Sequence, residues 1–143
     1  RVPMIARGPG TVAAGATTDH VSAFWDVTPT MLDLAGAPPA SGLDGLSFAA
    51  TLLNEPQQTH EYLYWEFHEQ GGKQAVRMGD WKAVRLEVLE DPEGPIELFD
   101  LSTDPIEARD VAGEHSDVVA RMTELMREAH APSDLFPFPG DQP

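Results

Sequence analysis

An α+β fold is predicted: an N-terminal strand-helix piece, then a four-stranded antiparallel sheet packed by a C-terminal helix. Three observations predict it. Apolar residues alternate with period two in four short bursts between Tyr62 and Leu101, each burst bounded by Gly, Pro or Asp. Apolar residues recur at helical spacing in HSDVVARMTELMREAHA, residues 115–131. A well-signalled helix stands alone near the start, in DVTPTMLDLAGAPP.

The elements follow in order. Val2 to Arg7 reads as an apolar strand stopped by Gly8-Pro9-Gly10, with Pro3 near its start, where a missing N–H is tolerated. TTDHVSAFW, residues 17–25, is a second strand candidate. In the helix that follows, Thr28 suits the cap and Pro29 the first helical position. Gly36 suits the left-handed position past its end, and Pro38-Pro39 forbid continuation. Met31, Leu32, Leu34 and Ala35 supply its expected buried face. GLDGLSFAATLL is a turn followed by a short helix, and NEPQQTH is a polar linker. The linker sets the expected division of the chain into residues 1–55 and 56–143.

In the second part Leu63, Trp65 and Phe67 face one way along the first strand, and Tyr62, Tyr64, Glu66 and His68 the other. A second strand covers Gln74 to Arg77, a third Trp81 to Leu86, and a fourth IELFDL, residues 96–101. One face of such a meander must be covered. Val118, Val119, Met122, Leu125, Met126 and Ala129 form the helical stripe to cover it, expected on the Leu63, Trp65, Phe67 face. Ser116 and Asp117 suit the positive end of that helix, and Arg127 and His130 its negative end. Phe136 and Phe138 are expected to anchor the irregular tail, and Trp25, Trp65 and Trp81 to lie in the core.

Composition excludes several functions. With 143 residues the chain is long enough for a core without staples. A formal net charge of -15 and only 9 scattered Lys and Arg argue against nucleic acid and against anionic membranes as partners. There is no cysteine, so neither a disulfide framework nor a thiolate metal site is available. The chain does not begin with Met, and it starts directly on strand-like residues, as a piece of something longer would.

Candidate site residues are few. Glu66 and His68, two apart on one face beside Gly71-Gly72, are either part of a cleft or a solvent-side pair. Lys73 beside the turn is either an anion contact or a solvated loop cation. Arg77 suits turn ordering through its planar donor fork. Asp19, His20 and Asp26 are a poor metal set. Neighbours on an extended strand point apart, and Asp26 is explained by charge near a helix start. His60, His115 and His130 have no partners at ligand spacing and read as surface residues. Asp44-Gly45 and Asp104-Pro105 have turn chemistry.

Five stretches in order resemble the C-terminal third of the type-I arylsulfatase family, in the alkaline-phosphatase-like superfamily. They are RVPMIARGPG, VSAFWDVTPTMLDLAGA, GLDGLSFAATLL, YWEFHEQGGKQAVRMGDWKAVR and IELFDLSTDPIEARDVA. The resemblance covers nearly the whole chain. It implies a hydrolase of sulfate esters, with calcium and a formylglycine made within a C/S-x-P-x-R motif as the family's cofactors. It also implies that residues 1–55 end the main domain, that their first strand joins a large central sheet, and that residues 56–143 are a C-terminal subdomain.

By the same resemblance, loops of the small sheet border the substrate cleft, so His68, Glu66 and Lys73 become candidate substrate contacts. The chain departs from the family where chemistry is done. It has no cysteine, and none of its serines is followed by x-Pro-x-Arg. The expectation is a portion inactive alone and without cofactors of its own. Its partners would be the remainder of a sulfatase chain, or a second copy joined through the N-terminal strand, with a sulfate-ester substrate in the parent enzyme. The alternative is a non-catalytic binding or assembly module derived from a sulfatase tail.

Overall fold

The structure is a computed structural model that describes residues 2–141. The chain forms two compact units, Arg1–His60 and Glu61–Pro143.

In the first unit a 3-10 turn, Phe24–Asp26, leads directly into α1, Val27–Leu34. Thr28 is therefore inside the helix rather than its cap. Pro29 occupies the first turn, where its missing N–H leaves nothing unpaired. The predicted stop is present. Gly36 has φ 64°, its N–H donates to the Asp33 carbonyl, and the Ala37 N–H donates to the Leu32 carbonyl. These paired bonds are a Schellman ending, which requires the left-handed residue that glycine adopts at little cost. A short helix, α2, follows at Ala49–Leu52.

Two expectations for this unit fail. No strand forms at 2–7 or 17–25 among the described residues; Val2, Met4 and Ile5 are exposed, Ile5 by 94%. A strand needs a ladder partner, and no described segment pairs with these. The buried face of α1 is also not the apolar one: Met31 is 57% and Leu34 41% exposed, while Thr30 is fully buried. The reason is polar. The Thr30 hydroxyl donates to the Asp26 carbonyl at 2.6 Å and accepts from the Phe48 N–H at 2.9 Å, tying α1 to the start of α2.

In the second unit four strands form an antiparallel meander in the order β1-β2-β3-β4. They are β1 Leu63–Phe67, β2 Lys73–Met78, β3 Trp81–Leu86 and β4 Ile96–Asp100. Between β2 and β3 only Gly79 and Asp80 intervene, and of these only Gly79 has positive φ, at 59°. That pattern suits a two-residue turn with glycine first, whose twist matches the strands. The Arg77 Nε donates to the Gly79 carbonyl across it, as the sequence suggested. The Asp104 carboxylate likewise accepts from the Ala108 and Arg109 N–H groups.

The register places Tyr64, Val76, Ala83 and Leu98 in one cross-strand row, and Glu66, Gln74, Arg85 and Ile96 in the next. Helix α3, Ser116–Ala129, seats Met122, Leu125 and Met126 on this face, each fully buried. Each such side chain contributes about 1.5–3 kcal/mol of burial. The stripe on α3 was read correctly, but the face it covers was not. Tyr64 packs against the core, whereas Trp65 is 36% and Phe67 46% exposed on the opposite side. Aromatic residues occupy both faces of β1, so its own alternation does not choose. The inward Val76, Ala83 and Leu98 choose, and register then carries Tyr64 and Glu66 inward with them. Trp81 is half-buried and packs beside His115, with ring centroids 4.8 Å apart.

Candidate functional site

The polar row at one end of the inner face continues into the tail. Arg85, only 5% exposed, donates from Nε to the Gly94 carbonyl at 3.0 Å and from Nη1 to the Gln74 Oε1 at 3.1 Å. Gln74 donates from Nε2 to the Tyr64 hydroxyl at 2.8 Å, and that hydroxyl donates to the Glu66 Oε1 at 2.6 Å. His130, immediately after α3, meets the same Glu66 oxygen through Nδ1 at 2.6 Å and the Asp141 Oδ1 through Nε2 at 2.6 Å. The second Asp141 oxygen accepts the Phe138 N–H at 2.8 Å. From Arg85 through Gln74 and Tyr64 the donations run in one direction and end on the Glu66 carboxylate.

This geometry favours a doubly protonated His130. An ionised carboxylate only accepts, so an imidazole bonded to one at each nitrogen must donate from both. Burial opposes its charge, but the bonds to Glu66 and Asp141 outweigh that and raise its pKa above 6.5. The bond from His130, with that from the Phe138 N–H, holds the Asp141 carboxyl below its ordinary value. Burial, followed by donation to Glu66, raises the Tyr64 phenol, which stays protonated.

His68 lies just past β1, beside this network. Among the described residues its Nε2 is buried without a hydrogen-bond partner and sits 3.8 Å from the Glu66 Oε2. Its ring stacks on Phe138 at 4.2 Å and 16°, with Phe136 at 5.6 Å. Of the two tail anchors expected, Phe138 is buried and Phe136 is exposed. Lys73 begins β2, donates to the Gln70 Oε1 at 3.2 Å and lies 5.7 Å from the Phe67 ring centre. The structure thus brings Glu66 and His68 together, with Glu66 already accepting two short bonds, and leaves Lys73 on the turn.

The reading of His130 as a surface residue was wrong. It is the centre of the network, 64 residues from Glu66 in sequence. Gln74 and Arg85 were also missed, although a two-residue turn at Gly79-Asp80 places them opposite each other by counting.

A second polar centre lies in the first unit. The buried Asp26 carboxylate accepts from the Ala23 N–H at 2.7 Å, the Leu46 N–H at 2.8 Å and His60 Nε2 at 2.9 Å. His60 is therefore not an unpartnered surface residue, and Asp26, which does stand at the start of α1, also clamps separate segments together. His20 nearby is lowered in pKa, first by burial and then by His60, against the opposing pull of Asp26. Its ring lies 6.4 Å from that of Phe48.

Comparison with known proteins fits this architecture. Residues 1–131 match the family model of N-sulphoglucosamine sulphohydrolase, C-terminal. Arylsulfatase K of Danio rerio is 32% identical over 133 residues, covering 88% of this chain and 25% of that protein. N-acetylglucosamine-6-O-sulfatase of Bacteroides thetaiotaomicron is 29% identical over 136 residues, covering 89% and 24%. The solved structure of BT4656 in complex with its substrate D-glucosamine-2-N,6-O-disulfate superposes with a TM-score of 0.72 at 25% identity, covering 86% of this chain and 26% of that one. The chain spans about a quarter of the length of the curated relatives it matches. It belongs to the sulfatase family, as a C-terminal domain of the N-sulphoglucosamine sulphohydrolase type.

Proposed function

We propose that these residues are the C-terminal part of a sulfuric ester hydrolase, inactive alone, that supply scaffold and one wall of the substrate cleft. The connection between β1 and β2 is the part assigned to the cleft, with His68 and Lys73 as contacts to a sulfate ester. Glu66 takes a supporting place behind His68. The observation that supports this is the His68 Nε2: among the described residues this ring nitrogen lies buried beneath Phe138 without a hydrogen-bond partner, a bonding position that a ligand oxygen would fill once Phe138 moves aside.

The family's formylglycine does not fit this chain, which has neither a cysteine nor Ser-x-Pro-x-Arg. That residue and the calcium site would come from segments outside these residues, as would the central sheet that the N-terminal segment joins. Neither group enters the role assigned here.

The test is kinetic. In a full sulfatase carrying this domain, His68→Ala and Lys73→Ala are each expected to lower kcat/KM for a sulfate monoester by roughly tenfold or more, with unchanged circular dichroism. Unchanged kcat/KM in both variants would remove the β1–β2 connection from the cleft.

A further inference from the structure

Among the described residues, the tail is fastened at one charged point. Beyond α3, the described residues 131–141 form no helix or strand, and their polar tie to the sheet runs from Asp141 through His130 to Glu66. Phe138, whose N–H is fixed by Asp141, lies flat on the His68 ring. We propose that residues 131–141 are a proton-held strap: doubly protonated His130 ties Asp141 to Glu66 and so clamps Phe138 over His68, and loss of that proton loosens the strap and uncovers His68. The strap stands whether or not His68 touches substrate.

A neutral imidazole keeps one N–H. With Glu66 and Asp141 ionised, one of its two contacts at 2.6 Å would then set a lone pair against a carboxylate oxygen. One of the two contacts must open: loss of the Asp141 contact frees the tail directly, and loss of the Glu66 contact cuts its tie to the sheet. Stacking of Phe138 on the His68 ring does not require the His130 proton, so that proton controls how often the strap opens.

Other groups around His130 modulate the switch without replacing it. Glu66 and Tyr64 face it from β1, and Asp141 comes from the tail. Arg127 on α3, Arg85 on β3 with Gln74 on β2, and Glu93 before β4 line the same cleft. His68 stands on the far side of Glu66, its Nε2 3.8 Å from Oε2, within reach of that oxygen after a small shift.

The direction follows from the shifts. His130 is raised when the strap is docked, so its contribution is full below the ordinary value of 6.5 and is lost as pH rises through the raised value. Asp141 is lowered, so its contribution is present above 3.8 and lost as pH falls through the lowered value. Docking is strongest between those limits.

Nuclear magnetic resonance of the intact chain between about pH 5 and pH 9 tests this, reading the His130 ring nitrogens, the Phe138–His68 ring contact and exchange of the Phe138 amide. As His130 loses its proton, the ring contact should weaken and Phe138 exchange, corrected for intrinsic rate, should rise roughly threefold or more. The Val76 and Leu98 amides in the core report the fold and should not change. Asp141→Asn should leave Phe138 poorly protected at every pH. Phe138 protection that stays flat through the His130 titration, or a singly protonated His130 at the acid end of the range, would overturn the proposal in the unaltered chain. Wild-type protection and pH response in Asp141→Asn would overturn it independently.

Discussion

Replacing Asp26 by Asn tests the polar clamp of the first unit. Asp26 receives three N–H or ring-nitrogen contacts and is 1% exposed. Oδ2 serves Ala23, while Oδ1 serves Leu46 and His60. Asparagine has one acceptor oxygen. Whichever way its amide turns, an NH2 group faces a backbone N–H, at Ala23 or at Leu46. One charge-assisted bond is lost and a buried donor is left against another donor, which costs about 2–4 kcal/mol. At about 0.05–0.15 kcal/mol per residue, a unit of the size of Arg1–His60 has roughly 3–9 kcal/mol to lose. The substitution should therefore remove a large share of its stability. Urea unfolding followed by amide exchange at Leu46 and Phe48 measures it, since both amides are bonded within the clamp. A change below about 0.5 kcal/mol, with Leu46 protection intact, would refute the idea that the carboxylate ties these segments together.

Other substitutions separate what is buried from what merely looked apolar. Leu125→Ala should cost about 2–5 kcal/mol in denaturant unfolding, because the side chain is fully buried beneath the sheet. Met31→Ala should stay within about 0.5 kcal/mol in the same assay, although the helical pattern made Met31 a core residue. Tyr64→Phe removes the hydroxyl between Gln74 and Glu66 and should cost about 1–3 kcal/mol. The Tyr64 phenol is raised above 10.0, so its contribution is full below that pH and is lost as pH rises through the raised value. Unfolding titrations should show that alkaline loss in the wild type and a smaller one in the variant.

The meander was legible because alternation and turn residues mark each strand, and Gly79-Asp80 fixes the pairing of β2 with β3. The C-terminal stripe was legible for the same reason, through Met122, Leu125 and Met126. The side of β1 that it covers was not, since Tyr64 and Trp65 are both large aromatics and only cross-strand neighbours decide between them. The face of α1 was misread because hydrogen bonds through Thr30 and Asp26, rather than apolar area, hold it. At the site, Glu66 and His68 were visible as a pair by spacing. Their partners were not: His130 and Asp141 reach them only after α3 has folded back across the sheet, and local sequence carries no mark of that return. Val2 to Arg7 has the composition of a strand, yet a strand exists only with a neighbour to bond.

The central claim is that these residues shape a sulfatase without holding its machinery. Hydrolysis of 4-nitrophenyl sulfate tests it most directly, measured for the purified 143-residue chain and for a full sulfatase that carries it as the C-terminal domain. The account predicts no turnover above buffer for the chain alone and turnover by the full sulfatase. Turnover by the chain alone, abolished by His68→Ala, would contradict it and place the catalytic groups within these residues.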